Sequence, residues 1–213
     1  MTERLEKLWR LTAEKRARLL DPALEEFSAF GYDAASLNRI LANANMSKGQ
    51  AYYYIAGKSD LYLAVCTRAF SPSLSYAAHQ AKALRGSTEY WGAVEAMAGA
   101  LAEKLAADET ASALALTVYD SQSAMECLTP LAVQLDAILD DIIQAGQDAG
   151  EIRTDLPEGL VRQVIKAVVR SVDKWFALNG ATLSAQELAT AMQGTFEMIR
   201  NMLQPMAGGQ LDA

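Results

Sequence analysis

Apolar residues recur at helical spacing along nearly the whole chain. No run alternates β-branched or aromatic residues between turns, so the pattern predicts an all-α fold. The clearest stretch is Leu131, Leu135, Ile138, Leu139, Ile142 and Ile143, one face of a helix that opens at Thr129-Pro130 and ends at Gly150. Residues 160–178 set Val161, Val164, Ile165, Val168, Val172, Trp175 and Phe176 on one broad stripe, with Arg162, Lys166, Arg170 and Lys174 opposite. Gly180 closes that helix. Ser184 and Glu187 form a capping box for a last helix that continues through Met192, Phe196, Ile199 and Leu203. Residues 207–213 carry no such pattern and are expected to be a flexible tail.

Toward the N-terminus the punctuation is closer. Asp21-Pro22 reads as an N-cap followed by a first-turn proline, and Gly31 as a C-terminal cap. Thr12 to Leu20 is also helix-prone, but a helix continuous through Pro22 would need a kink there. Ser36 caps a short helix with Leu37, Ile40 and Leu41 facing inward, and Asn45 is expected in left-handed backbone. Ser47 opens a second short helix to about Ile55. Ser59-Asp60 then caps a longer helix that Pro72 bends or ends.

Two short helices joined by a tight turn, apolar on the inner face, have the shape of a helix-turn-helix, whose second helix fits the major groove. The second helix is equipped for that role. Ser47 can cap and reach phosphate, Lys48 supplies charge, and Gly49 lets the backbone approach a duplex. Gln50 can pair with adenine or complete a capping box on Ser47. Tyr52, Tyr53 and Tyr54 point about 100° apart on a helix. They cannot all be buried, so packing and phosphate contact both remain open to them.

The formal net charge is -7, which by itself speaks against a nucleic-acid partner. Its distribution does not. Residues 1–60 hold nine Lys/Arg against eight Asp/Glu, whereas residues 61–213 hold ten against eighteen, so the acidity belongs to the C-terminal part.

Other chemistries find little support. Cys66 and Cys127 lack metal or disulfide spacing and suit a reducing cytoplasm. His79 is the single histidine and has no companion ligands, so neither a metal nor a cofactor is expected. Asp140 and Asp141 diverge on their helix, and no phosphate loop, nucleophile elbow or HExxH occurs, so no enzyme is expected. The longest apolar stretches are interrupted by charges and do not span a membrane.

The segments Phe27-Ser-Ala-Phe-Gly31-Tyr32-Asp33-Ala-Ala-Ser36, Ser47-Lys48-Gly49-Gln-Ala-Tyr52-Tyr-Tyr54 and Lys58 with Leu61 resemble the N-terminal signature of the TetR family of transcriptional regulators. The likeness covers about residues 13–65, and Gly150 to Pro157 is similar to the lead-in to that family's dimerisation helices. The resemblance implies a helix-turn-helix DNA-binding domain at 10–60 and a helical ligand-binding and dimerisation domain at 61–206. It implies phosphate contacts from Ser47, Lys48, Tyr52, Tyr54 and Lys58. Gln50, Tyr53 and Asn38 or Arg39 would lie near bases or sugars, with Ser36 and Gly49 in the same surface.

By the same likeness the chain is expected to be a cytoplasmic homodimer, paired through helices near 158–178 and 184–203. It would repress from a roughly palindromic double-stranded operator until a small-molecule effector releases it. Trp91, Tyr119, Met125, Trp175 and Phe176 are candidates to line the effector pocket, though each also suits plain core packing. A helical scaffold without DNA binding is the bland competitor. The family pattern usually has Ala at the position of Leu41 and Leu at that of Ala51. The two departures are opposite in size, so one can fill what the other vacates.

Overall fold

A computed structural model describes residues 3–119 and 121–205. The expected tail at 207–213 lies outside the described residues. Among the described residues there is no strand. The helices are α1 (Glu3–Trp9), α2 (Ala13–Ala34), α3 (Leu37–Asn43), α4 (Lys48–Tyr52), α5 (Lys58–Ala83), α6 (Tyr90–Ala107), α7 (Glu109–Val118), α8 (Gln122–Cys127), α9 (Thr129–Asp148), α10 (Glu158–Asn179) and α11 (Ala185–Leu203). A short 3₁₀ turn, Gly180–Thr182, precedes α11.

Both prolines read as breaks prove to be internal. Thr12 caps α2, which runs through Asp21 and Pro22. Its non-helical residue is Gly31 (φ 67°, ψ 178°), so the chain turns where the sequence placed a stop and not at the proline. An interior proline costs about 3 kcal/mol. Leu19, Leu20 and Phe27, on either side, are each buried to within 1%, and full burial of one such side chain contributes roughly 1.5–3 kcal/mol. Packing outweighs the local defect. Asp21, released from capping, pairs with Arg68 at 2.6 Å. In α5, Pro72 is exposed, and the helix continues through it to Ala83. Its first turn is fixed by Asp60, whose carboxylate accepts from the Ala56 N–H at 2.8 Å.

Packing divides the chain into two compact units, one running to Ser73 and including Lys104–Val133, the other Leu74–Glu103 with Gln134 onward. The first unit is larger than the 10–60 segment expected for DNA reading, because α7 and α8 pack on α2. Its centre is aromatic. Tyr62 meets Phe27 edge-on at 4.9 Å and shares a hydrogen bond of 3.1 Å with Thr117 of α7.

The second unit packs Leu84, Tyr90, Trp91, Ile143, Ile152, Val161, Ile165 and Leu203 together. The α10 stripe is split there: Val161 and Ile165 enter this core, while Val164 and Trp175 stay exposed. The basic residues on its other side meet α9. Lys166 lies 2.8 Å and Arg162 3.2 Å from Asp140, and Arg170 pairs with Asp136.

Leu41 and Ala51 are both buried, as compensation between them requires. Leu41→Ala is expected to cost about 2–4 kcal/mol in unfolding free energy. Ala51→Leu alone should cost about 1–3, and the double variant less than the sum. Chemical denaturation of the four proteins measures the coupling, and strictly additive losses would remove it.

Candidate nucleic-acid interface

The α3–α4 pair is built from its own caps. Ser36 Oγ accepts from the Arg39 N–H, and Ile40, Leu41 and Ala44 carry the inner face. Asn45 takes φ 51°, the one positive φ outside glycine among the described residues, and turns the chain. Ser47 and Gln50 then cap α4 reciprocally: Ser47 N–H donates to Gln50 Oε1 at 2.9 Å, and Gln50 N–H to Ser47 Oγ at 3.2 Å. Gln50 is therefore a capping residue in the free protein. Its Oε1 must leave Ser47 before the amide can pair bidentately with adenine, whereas its NH2 group is not used by the cap.

The start of α4 is open. Ser47, Lys48, Gly49 and Gln50 are all exposed, and a Cβ placed on Gly49 would meet nothing within 4 Å. Ala51 alone on this helix is buried, which anchors it. The helix ends at Tyr52, short of the expected Ile55.

Tyr52 closes the helix, Tyr53 is its C-cap, and Tyr54 lies in the turn beyond. Tyr52 is 40% and Tyr53 59% exposed, while Tyr54 is half-buried and meets Tyr53 edge-on at 5.0 Å. Their backbone is held by α1, a helix too short for its apolar spacing to announce it in the sequence. Arg4 donates to the carbonyls of Tyr52 at 2.9 Å and Ile55 at 3.2 Å, and Lys7 sits 5.2 Å over the Tyr53 ring. Leu5 and Leu8, both buried, dock this helix. A cavity of about 210 Å³, lined in part by Lys15, Arg18, Gln50 and Tyr54, brings two further exposed cations beside α4.

Not every expected contact is free to serve. Asn38 is exposed, Ser36 half-exposed. Lys58 is occupied: its ammonium donates to the carbonyls of Asp33 at 2.9 Å and Ala35 at 3.2 Å and lies 4.7 Å over the Tyr32 ring. It ties off the end of α2, where cations suit the exposed carbonyls. Arg39 is bound along one edge by Glu26. The Arg39 hydrogen bonds, helped by the Ser36 N–H, hold the Glu26 carboxyl below its ordinary range although burial opposes them.

The five pocket candidates are not brought together in one unit. Tyr119 and Met125 belong to the first unit; Trp91, Trp175 and Phe176 belong to the second. Trp175 is 46% exposed and meets Phe176 edge-on. Trp91 is core, edge-on to Tyr90 and Phe196, and its indole N–H has no hydrogen-bond partner.

Residues 19–65 match the family model of bacterial regulatory proteins, tetR family. No curated protein sequence matches the chain. Among solved structures, the fold is similar to SmeT, the repressor of the Stenotrophomonas maltophilia multidrug efflux pump SmeDEF, at 17% identity and TM-score 0.69, covering 95% of this chain and 94% of that one. It is also similar to FadR from Bacillus subtilis in complex with stearoyl-CoA, at 17% identity and TM-score 0.65, covering 88% and 98%. A tetR-family protein of Mesorhizobium loti matches at 19% and 0.64, covering 96% and 100%.

Proposed function

We propose that this chain, a TetR-family transcriptional regulator by the match over residues 19–65, is a dimeric repressor that a small molecule releases from its operator. The observation that carries the reading is the open first turn of α4, where Ser47, Lys48, Gly49 and Gln50 are exposed and a Cβ on Gly49 would meet nothing within 4 Å. In this reading Ser47, Lys48, Tyr52 and Tyr53 meet the duplex directly, most of them through phosphates. Asn38 and Gln50 face base edges, while Lys58 acts from inside by holding the end of α2.

The partner in assembly is a second copy. Leu160, Val164, Trp175 and Leu178 on α10 and Met198 on α11 are large apolar side chains left exposed on a single chain. Pairing through these helices sets two α4 helices on successive major grooves, about 34 Å apart. The effector is proposed to be a largely apolar molecule bound in the helical part, with Trp91 N–H as one polar contact. SmeT and FadR, which share the fold, show that it serves a repressor and a protein that binds an acyl-CoA. No helix among the described residues is long and apolar enough to cross a membrane, and the reading places the protein in the cytoplasm with its DNA. No catalytic role is assigned to it.

Titration of a duplex selected from random sequence, repeated over a range of salt concentrations, tests this directly. Lys48→Ala should weaken binding to every duplex alike and reduce the magnitude of the salt slope by about one. Gln50→Ala should instead relax preference at one base pair. A protein indifferent to Lys48→Ala is a scaffold and not a regulator.

A further inference from the structure

Glu26 is the only buried carboxylate among the described residues, 5% exposed on α2 between Ala23 and Phe27. A carboxylate so placed needs partners, and all of them come from α3 and its cap. Arg39 Nε donates to both of its oxygens at 2.9 and 3.1 Å, Arg39 Nη2 to Oε1 at 2.5 Å, and the Ser36 N–H to Oε1 at 2.7 Å. The ring of Phe30, itself 53% exposed, lies 4.7 Å from the guanidinium carbon and supports one face.

The guanidinium is therefore fixed along one edge and one face, yet the Arg39 side chain is 53% exposed. What remains open is its far end. Nη1 has no hydrogen-bond partner among the described residues, and the remaining contact of Nη2, to Ala34 O, is long at 3.4 Å. A pair of parallel N–H donors at the end of a guanidinium is the fork that matches guanine O6 and N7 in the major groove.

We propose that Glu26 is a positioning residue for sequence readout. It holds Arg39 by the Nε edge so that the free end donates bidentately to one guanine in each half-site. It also cancels the charge of Arg39, so that this arginine makes no phosphate contact. The inference rests on reading α3 and α4 as a DNA-binding unit, and it adds to that reading a base, a donor pair and the residue that aims it. Fixing the fork in advance removes the ordering cost that a free arginine meets on binding. A neutral pair displaces no condensed counterion, so its contribution is visible in base preference and silent in salt dependence.

The test is a binding selection from a random-sequence duplex library with the full chain, followed by salt titration of the recovered duplex. Wild type, Glu26→Gln, Arg39→Lys and Arg39→Ala are compared, and thermal unfolding of each confirms folding. Wild type should enrich a guanine that Arg39→Ala loses, with a fall of about 5- to 150-fold in preference for that pair and an unchanged salt slope. Arg39→Lys keeps a cation against the buried carboxylate but has no fork, so it should lose the same guanine while keeping its fold. Glu26→Gln uncovers the arginine's charge and should steepen the salt slope by about one as the guanine preference drops.

A merely structural ion pair predicts neither the guanine nor the steeper slope. If Arg39→Ala and Arg39→Lys leave every enriched position intact, or Arg39→Ala makes the slope shallower, the inference is overturned while DNA binding stands. If wild type enriches no sequence at all, the DNA reading itself is overturned and this inference with it.

Discussion

Replacing Trp175 and Leu178 together by glutamate should leave a folded monomer whose affinity for its operator is about a hundredfold lower or worse. Trp175 is 46% and Leu178 53% exposed on the single chain, so these changes do not cut into its own core, which α10 reaches through Val161 and Ile165. In a pair of chains facing each other through α10 and α11, the new carboxylates would instead be buried against apolar surface, which association cannot offset. The loss in DNA affinity follows from linkage. Once one half-site is bound, the second binds as an intramolecular event, and two joined modules exceed either alone by about 10²–10⁴. Sedimentation at micromolar concentration and an operator titration read the two effects. A variant that stays dimeric, or a monomer that binds DNA as tightly as the parent, would contradict the proposed assembly.

Gly146→Val should destabilise the second unit by about 3 kcal/mol or more while leaving α4 untouched. A Cβ at this position would lie 2.6 Å from Tyr90 Cζ and 2.6 and 2.7 Å from two carbons of Ile152. These are not loose chain ends. Tyr90 and Ile152 are both 1% exposed, and the Tyr90 hydroxyl donates to the Ile142 carbonyl at 2.9 Å. Glycine in a helix forgoes roughly 0.5–1 kcal/mol of propensity relative to alanine. Overpacking a tight core costs typically 1–3 kcal/mol for much smaller intrusions than valine's three carbons. The steric loss wins, and for a chain of this length it should lower the melting temperature by about 6–12 °C. Operator binding should fail in step with unfolding, since the helices proposed to pair the chain belong to this unit. An unchanged melting temperature would mean that Tyr90 and Ile152 move aside cheaply.

Much of this was legible in the sequence because it is written in local spacing. The caps at Ser36, Ser47 and Ser184, the left-handed Asn45 and the turn at Gly31 each depend on residues within one helical turn, and the structure has all of them. What depends on distant partners was not. Pro22 and Pro72 carry a strong local signal to stop, but whether a helix tolerates them is decided by burial and exposure around them. Two apolar residues in a charged stretch, Leu5 and Leu8, gave too short a pattern to announce α1.

Charge was the hardest to place. Lys58 looks free beside the helix-turn-helix but is consumed by carbonyls 23 and 25 residues away. Arg39 looks like one more cation, and only the fold shows that Glu26, 13 residues before it, takes its charge. The stripe on α10 likewise reads as one face although it serves two, its own core and an open side. Aromatic residues at helical spacing do not say which of two units they enter, and the five pocket candidates divide between the two.

In the proposed function α4 enters a groove of duplex DNA twice per assembled pair. Hydroxyl-radical footprinting of the full chain on DNA flanking its own gene measures this most directly. Two symmetric protected windows about one helical turn apart, both lost with Lys48→Ala at the same salt, are the predicted result. A folded protein that leaves the backbone uniformly cleaved at every flanking sequence would contradict it.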